Sequence, residues 1–129
     1  LSLLIEKMET QHDLTVDLDL ALPEKDASSL IQRTVYWIVH EALLNVARHA
    51  GTDQATVRVH SSRAALRLAI IDDGHGFDPT AQQDTGNLGL DGIRRRVEHL
   101  EGTLTIDTAP GDGCHLSVTL PLTIESVPV

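Results

Sequence analysis

A chain of 129 residues, 41% apolar and 22% charged, is long enough for one hydrophobic core and has the balance of a globular domain. Its formal charge of −9 disfavours nucleic acid and anionic membrane surfaces as partners, although a small phosphate ligand needs only local donors and a metal ion. No apolar run approaches the roughly 20 residues that span a bilayer, no basic-then-apolar leader is visible, and the sole cysteine, Cys114, has no internal disulfide partner, so a cytoplasmic domain is expected.

With Tyr36, Trp37 and Phe77 as the only aromatic residues, the core must be built from Leu, Ile, Val and Ala. The sequence opens at Leu1 with a helical stub, LSLLIEKMETQHD, which reads as the end of a preceding helical region and its linker (residues 1–13) in a longer polypeptide. The segment LTVDLDLAL then alternates Leu14, Val16, Leu18 and Leu20 against polar residues, the pattern of a half-buried strand, and Pro23 closes it. A long helix is predicted from about residue 27 to 50, capped near Ser28 or Ser29. Its stripe of Ile31, Val35, Ile38, Val39, Ala42, Leu43 and Val46 belongs to a helix lying on a sheet, and Gly51 follows as a left-handed stop.

Two strands, 55–60 and 64–72, are separated by a short turn and read as an antiparallel hairpin. Residues 73–88 hold Gly74, Gly76, Gly86 and Pro79 with few apolar side chains, a long irregular loop of the kind usually kept for function. LDGIRRRVEHLEG predicts a second helix with Leu90, Ile93, Val97 and Leu100 on one face, stopped by Gly102. Two more alternating strands, TLTIDTA and CHLSVTLPL, meet across the turn PGDG. Residues 123–129 form an aperiodic tail, leaving 14–122 as the domain. The expected fold is an α/β (α+β) sandwich: a mixed, mostly antiparallel sheet with helices on one face.

Three clusters carry possible chemistry. In HEALLNVARHA, Glu41, Asn45 and His49 are four residues apart, about 40° around the helix from one to the next. A carboxylate, an amide and an imidazole so aligned suit polarising an attacking group, holding a metal ion and touching phosphate; a solvated helix face has the same pattern. In AIIDDGHGFD a strand runs into Asp72, Asp73, Gly74 and Gly76, where an acceptor carboxylate meets backbone able to approach a ligand; an ordinary Asp-Gly turn reads alike. In TGNLGLDGIRRRV, Gly86, Gly89 and Gly92 lead into a helix whose first amides could meet phosphate, but the spacing is neither a dinucleotide fingerprint nor a P-loop. The seven histidines are scattered and give no zinc-ligand spacing.

Taken together, the order and spacing of these clusters resemble the N, G1 and G2 boxes of histidine-kinase ATPase domains, relatives of gyrase, Hsp90 and MutL in nucleotide fold. EALLNVARHA, DDGHGF, LGLDGIRRRVEHLEGTL and APGDGCHLSVTLPL are most similar to the DesK/NarX-like sensor kinases. The resemblance implies a Bergerat ATP-binding fold from about Leu14 to Leu122, with ATP and Mg²⁺ as cofactors. By similarity, Asp72 would accept from the adenine amine, Asn45 would ligate Mg²⁺, and Glu41 would orient or deprotonate the attacking histidine. Arg48 and His49 would lie near the phosphates, and Gly74, Gly76, Gly89, Leu90 and Gly92 would shape the pocket and its lid. The implied partners are the dimerisation and phosphoacceptor helices of the same kinase and a response regulator with a helix-turn-helix output, the isolated domain being a monomer. The acceptor histidine would lie in those helices, so His12 is not it.

Trp37 departs from the basic residue that many relatives carry there; it reads either as facing the site rim or partner helices, or as a partly buried packing residue. Asn87 departs from the glycine of longer-lidded kinases. Two other functions fit the same fold: a docking module that binds nucleotide without transferring phosphate, and a serine kinase of the anti-sigma type.

Overall fold

The structure is a computed structural model that describes residues 1–21, 28–78, 80 and 89–122. The predicted closing Pro23, the lid glycine Gly86, Asn87 and the tail 123–129 lie outside the described residues. Among the described residues three α-helices, α1 (Ser2–His12), α2 (Ser29–Asn45) and α3 (Leu90–His99), accompany five strands: β1 (Thr15–Ala21), β2 (Gln54–Ser61), β3 (Ala65–Asp72), β4 (Thr103–Thr108) and β5 (Cys114–Pro121). The strand order is β1-β2-β3-β5-β4, with β1 parallel to β2 and every other pair antiparallel. This is the mixed α/β sheet expected from the sequence, with both predicted hairpins formed.

Alternation decides which face is covered. Ala55, Val57 and Val59 of β2, Leu66, Leu68 and Ile70 of β3, and Leu116, Val118 and Leu120 of β5 are all buried. Onto them pack the predicted stripe of α2 and Leu90, Ile93 and Val97 of α3. The residues between, such as Arg58, His60, Arg67 and His115, are exposed on the other face. Burying each large aliphatic side chain contributes about 1.5–3 kcal/mol. The opening helix joins the same core through Leu4, Ile5 and Met8, and Glu9 accepts a hydrogen bond from the Val16 amide at 3.0 Å, tying α1 to the first strand.

The structure differs from the sequence reading at three places. Leu20, expected on the buried side of β1, is 43% exposed, β1 being an edge strand with a neighbour on one side only. The long helix is not α-helical to its end: after Asn45 it widens into a π-helical turn over Val46–Ala50, closed by Gly51 at φ 73°. At the end of α3 the left-handed residue is Glu101 (φ 59°), not Gly102. Glu101 N–H donates to Glu98 and Gly102 N–H to Val97, a Schellman cap. Gly102 is needed for a separate reason: a Cβ there would collide with the Thr119 carbonyl on β5.

Candidate functional site

Ser28 starts α2 as the sequence suggests, its Oγ accepting from the Ile31 amide at 3.3 Å. The apolar stripe then fixes the helix on the sheet and fixes the bearing of its other faces. Asn45 consequently stands at the wall of a cavity of about 420 Å³, within the usual size range of small-molecule sites. In the π-helical turn that follows, the wider pitch carries Arg48 further around from Asn45 than an α-helix would, while His49 stays on the cavity side. Arg48 is exposed and is not part of the wall.

The opposite wall is the end of the sheet. Asp72, the last residue of β3, faces Cys114, the first of β5, in register, and both line the cavity with Ile70 and Leu116. Among the described residues, the Gly74 amide is the one donor to the Asp72 carboxylate, at 2.8 Å. Burial raises the Asp72 pKa above its ordinary 3.8; the Gly74 bond opposes this, and the neighbouring charge of Asp73 adds to it. Burial likewise pushes the Cys114 thiol up to about 11, with the Asp72 charge next in weight. A slot with apolar walls and the half-buried Asp72 carboxylate among them suits a flat heterocycle that offers an amine.

The segment after β3 is held on both sides. His75 N–H donates to the Ala50 carbonyl at 2.6 Å, and Thr52 Oγ1 donates to Asp73 at 3.2 Å, fastening it to the end of the π-helical turn. On the far side, Gly111 N–H donates to the His75 carbonyl at 2.5 Å and Phe77 N–H to Thr108 Oγ1 at 3.2 Å. The glycines make these approaches possible. A Cβ on Gly74 would strike the Ala50 carbonyl, and one on Gly76 (φ 64°) the Ala109 carbonyl. Residues 73–78 are thus a fixed floor, although the sequence reads them as the start of a long irregular loop.

Of the residues expected at the site, Asn45, His49, Asp72, Gly76 and Leu90 line the cavity together. Gly74 acts from behind, through its amide and its approach to Ala50. Gly89, left-handed at φ 67°, caps the start of α3, and Gly92 faces Trp37 instead of the cavity. Glu41 lies one turn before Asn45, outside the wall, where the His40 Nδ1–H donates to its Oε2 at 3.1 Å. The sequence reading did not single out His75, Phe77, Asp78, Pro110 or Cys114, which also line the cavity. The first three lie in DDGHGFD, beside glycines that were legible. Cys114 and Pro110 arrive through pairing of β5 with β3, which nothing local in the sequence announces. Among the described residues no three His, Cys, Asp or Glu side chains are grouped to hold a metal ion, and no helix is long and apolar enough to cross a membrane.

Known proteins match this arrangement. The chain is 34% identical over 95 residues to the signal transduction histidine-protein kinase/phosphatase DegS of Brevibacillus brevis, a match covering 74% of this chain and 24% of that protein. It is 34% identical over 124 residues to the sensor histidine kinase YxjM of Bacillus subtilis (strain 168), covering 92% of this chain and 29% of that protein. The chain therefore spans 24–29% of these relatives' lengths. In fold it is similar to the blue-light activated histidine kinase of Erythrobacter litoralis EL346, with a TM-score of 0.73 at 22% identity over 98% of this chain and 42% of that one. It is also similar to the Acinetobacter baumannii histidine kinase AdeS, with a TM-score of 0.64 at 16% identity over 94% of this chain and 64% of that one. Residues 31–124 match the model of one ATPase family, and the chain belongs to it: the histidine kinase-, DNA gyrase B- and HSP90-like ATPases.

Proposed function

We propose that this chain is the cytoplasmic catalytic domain of a sensor histidine kinase of the DesK/NarX-like group, which transfers the γ-phosphoryl group of Mg-ATP to a histidine on dimerisation helices, for relay to a response regulator with a helix-turn-helix output. The observation that carries this is the shared cavity: an acceptor carboxylate, Asp72, at one wall and the Asn45 amide at the other, with apolar side chains between. Asp72 takes the exocyclic amine of adenine. The ring lies between Ile70, Leu116 and Leu90, and the phosphates run toward Asn45 and His49. Mg²⁺ fits this donor set as a hard cation held by the Asn45 carbonyl oxygen, with nucleotide phosphates and water completing its shell. When bound it neutralises charge on the transferring phosphoryl group. Glu41, one turn along α2, is partly exposed and faces outward, as a group that orients or deprotonates an incoming histidine must.

Calorimetric titration with Mg-ATP and Mg-ADP tests the binding half, and saturation at 100-fold above Kd adds about 2.7 kcal/mol of apparent stability. No heat and no thermal shift at millimolar nucleotide would sink the reading. For the chemistry, a phosphoacceptor helical hairpin supplied with this chain and labelled ATP should gain an acid-labile phosphate. Glu41→Gln should keep nucleotide affinity and slow that transfer by about 10²–10⁴-fold.

A further inference from the structure

Trp37, the only tryptophan in the chain, has no part in the site just described, yet it touches the element that closes one side of it. The Arg96 guanidinium sits 3.6 Å above the centre of its ring. Four residues earlier on the same face of α3 is Gly92, where a Cβ would come 3.4 Å from Trp37 Cη2. The ring therefore meets α3 twice, on its first turn and one turn later, and at the first of these no side chain intervenes. Leu90, Ile93 and Val97 pack the helix on the core along one side, and a single line of aliphatic contacts does little to oppose rotation about that line. Contact with Trp37 removes that freedom, and what it fixes is the bearing of Leu90, two residues before Gly92, which is buried and forms part of the cavity wall.

We propose that Trp37 is a positioning residue for the nucleotide site: clasped by Arg96 and laid against Gly92, it sets the roll of α3 on α2 and so holds Leu90 against the bound base. The inference rests on the nucleotide-binding reading above. Trp37, Glu41 and Asn45 follow one another at four-residue steps on α2, so the same helix that presents Asn45 to the cavity also sets where Leu90 of α3 stands. A tryptophan suits this task because a guanidinium stacks on its face while its edge fills the space over a glycine.

Calorimetric titration of the chain with Mg-ADP tests this, using Trp37→Ala, Trp37→Phe, Arg96→Gln, Arg96→Lys and the double variant Trp37→Ala/Arg96→Gln. Trp37→Ala should weaken binding about three- to tenfold, the range set by loss of a cation–π contact. Trp37→Phe should recover most of the affinity. Arg96→Gln should weaken binding, Arg96→Lys should restore it in part, and the double variant should bind no more weakly than Trp37→Ala alone, since Arg96 acts through the ring. Wild-type affinity in Trp37→Ala, whatever its melting temperature, overturns the proposal, because a purely structural role moves stability and not affinity. Should Trp37→Ala fail to fold, the two Arg96 variants decide, and unchanged affinity in Arg96→Gln overturns it equally. A wild-type chain that binds no Mg-ADP is a different failure, since it removes the nucleotide reading itself and this inference with it.

Discussion

Asp72 is held in a state that costs the fold something. Its carboxyl pKa is raised by burial, so the folded chain keeps its proton to higher pH than the unfolded chain does. Stability then falls as pH rises from the ordinary 3.8 through the raised value, and the cost is fully present above it. Asp72→Asn removes that charge and can still accept from the Gly74 amide. It should therefore raise the melting temperature of the free domain by about 1–3 °C at neutral pH while weakening adenine nucleotide binding by tenfold or more. Calorimetry of the free and nucleotide-bound protein reads both changes, and a variant that lost stability along with affinity would contradict this account of Asp72. Cys114 shares the environment. Its thiol, raised from 9.0 to about 11, has about a hundredfold smaller thiolate fraction at neutral pH, and its greater intrinsic nucleophilicity recovers about tenfold. Disulfide exchange with an aromatic disulfide reagent should run about ten times slower in the folded chain than in urea, measured by absorbance. At this scale Asp72 was legible, because a carboxylate followed by two glycines at a strand end is a local pattern. Cys114 was not, because its place beside Asp72 depends on which strands pair.

The ends of helices explain much of what the sequence did and did not reveal. Ser28 could be picked out as a cap because capping is chemistry of adjacent residues, whereas the π-helical turn after Asn45 has no sequence marker and is fixed by the tie from His75 to the Ala50 carbonyl. Gly102 reads from the sequence as the stop of α3 and is also a point of close approach to β5, with the left-handed position falling on Glu101. Glu101→Gly should accordingly stabilise the domain by up to about 1 kcal/mol, as relief of the left-handed penalty outweighs added freedom in the unfolded chain. Urea titration at constant m-value measures it, and a loss of stability would mean that the Glu101 side chain contributes more than its backbone costs. The strands and the two large helices were readable from period alone, but the sheet order was not. The β3–β5 pairing that completes the cavity spans more than forty residues, and only tertiary packing selects it.

Across the whole molecule, the two sides of the cavity differ in how they are secured. Strand β3 is central in the sheet, hydrogen-bonded to β2 on one side and to β5 on the other, and Asp72 at its end is still paired with Cys114 of β5. The start of α3 has no such lattice: its cap is Gly89, with nothing among the described residues within 4 Å of where a Cβ would stand, and it is carried by side-chain packing. Opening of the native state follows such differences, since segments held by few contacts open at low free energy while central strands exchange only on global unfolding. Amides of β3 should therefore be among the slowest to take up deuterium, and those in the first turn of α3 faster by about two orders of magnitude or more. Mg-ADP should slow the α3 amides selectively, whereas equal exchange rates at the two walls in the free protein would refute the asymmetry. A domain built this way can admit and release a ligand by loosening one wall, while the carboxylate proposed to meet the base keeps its place.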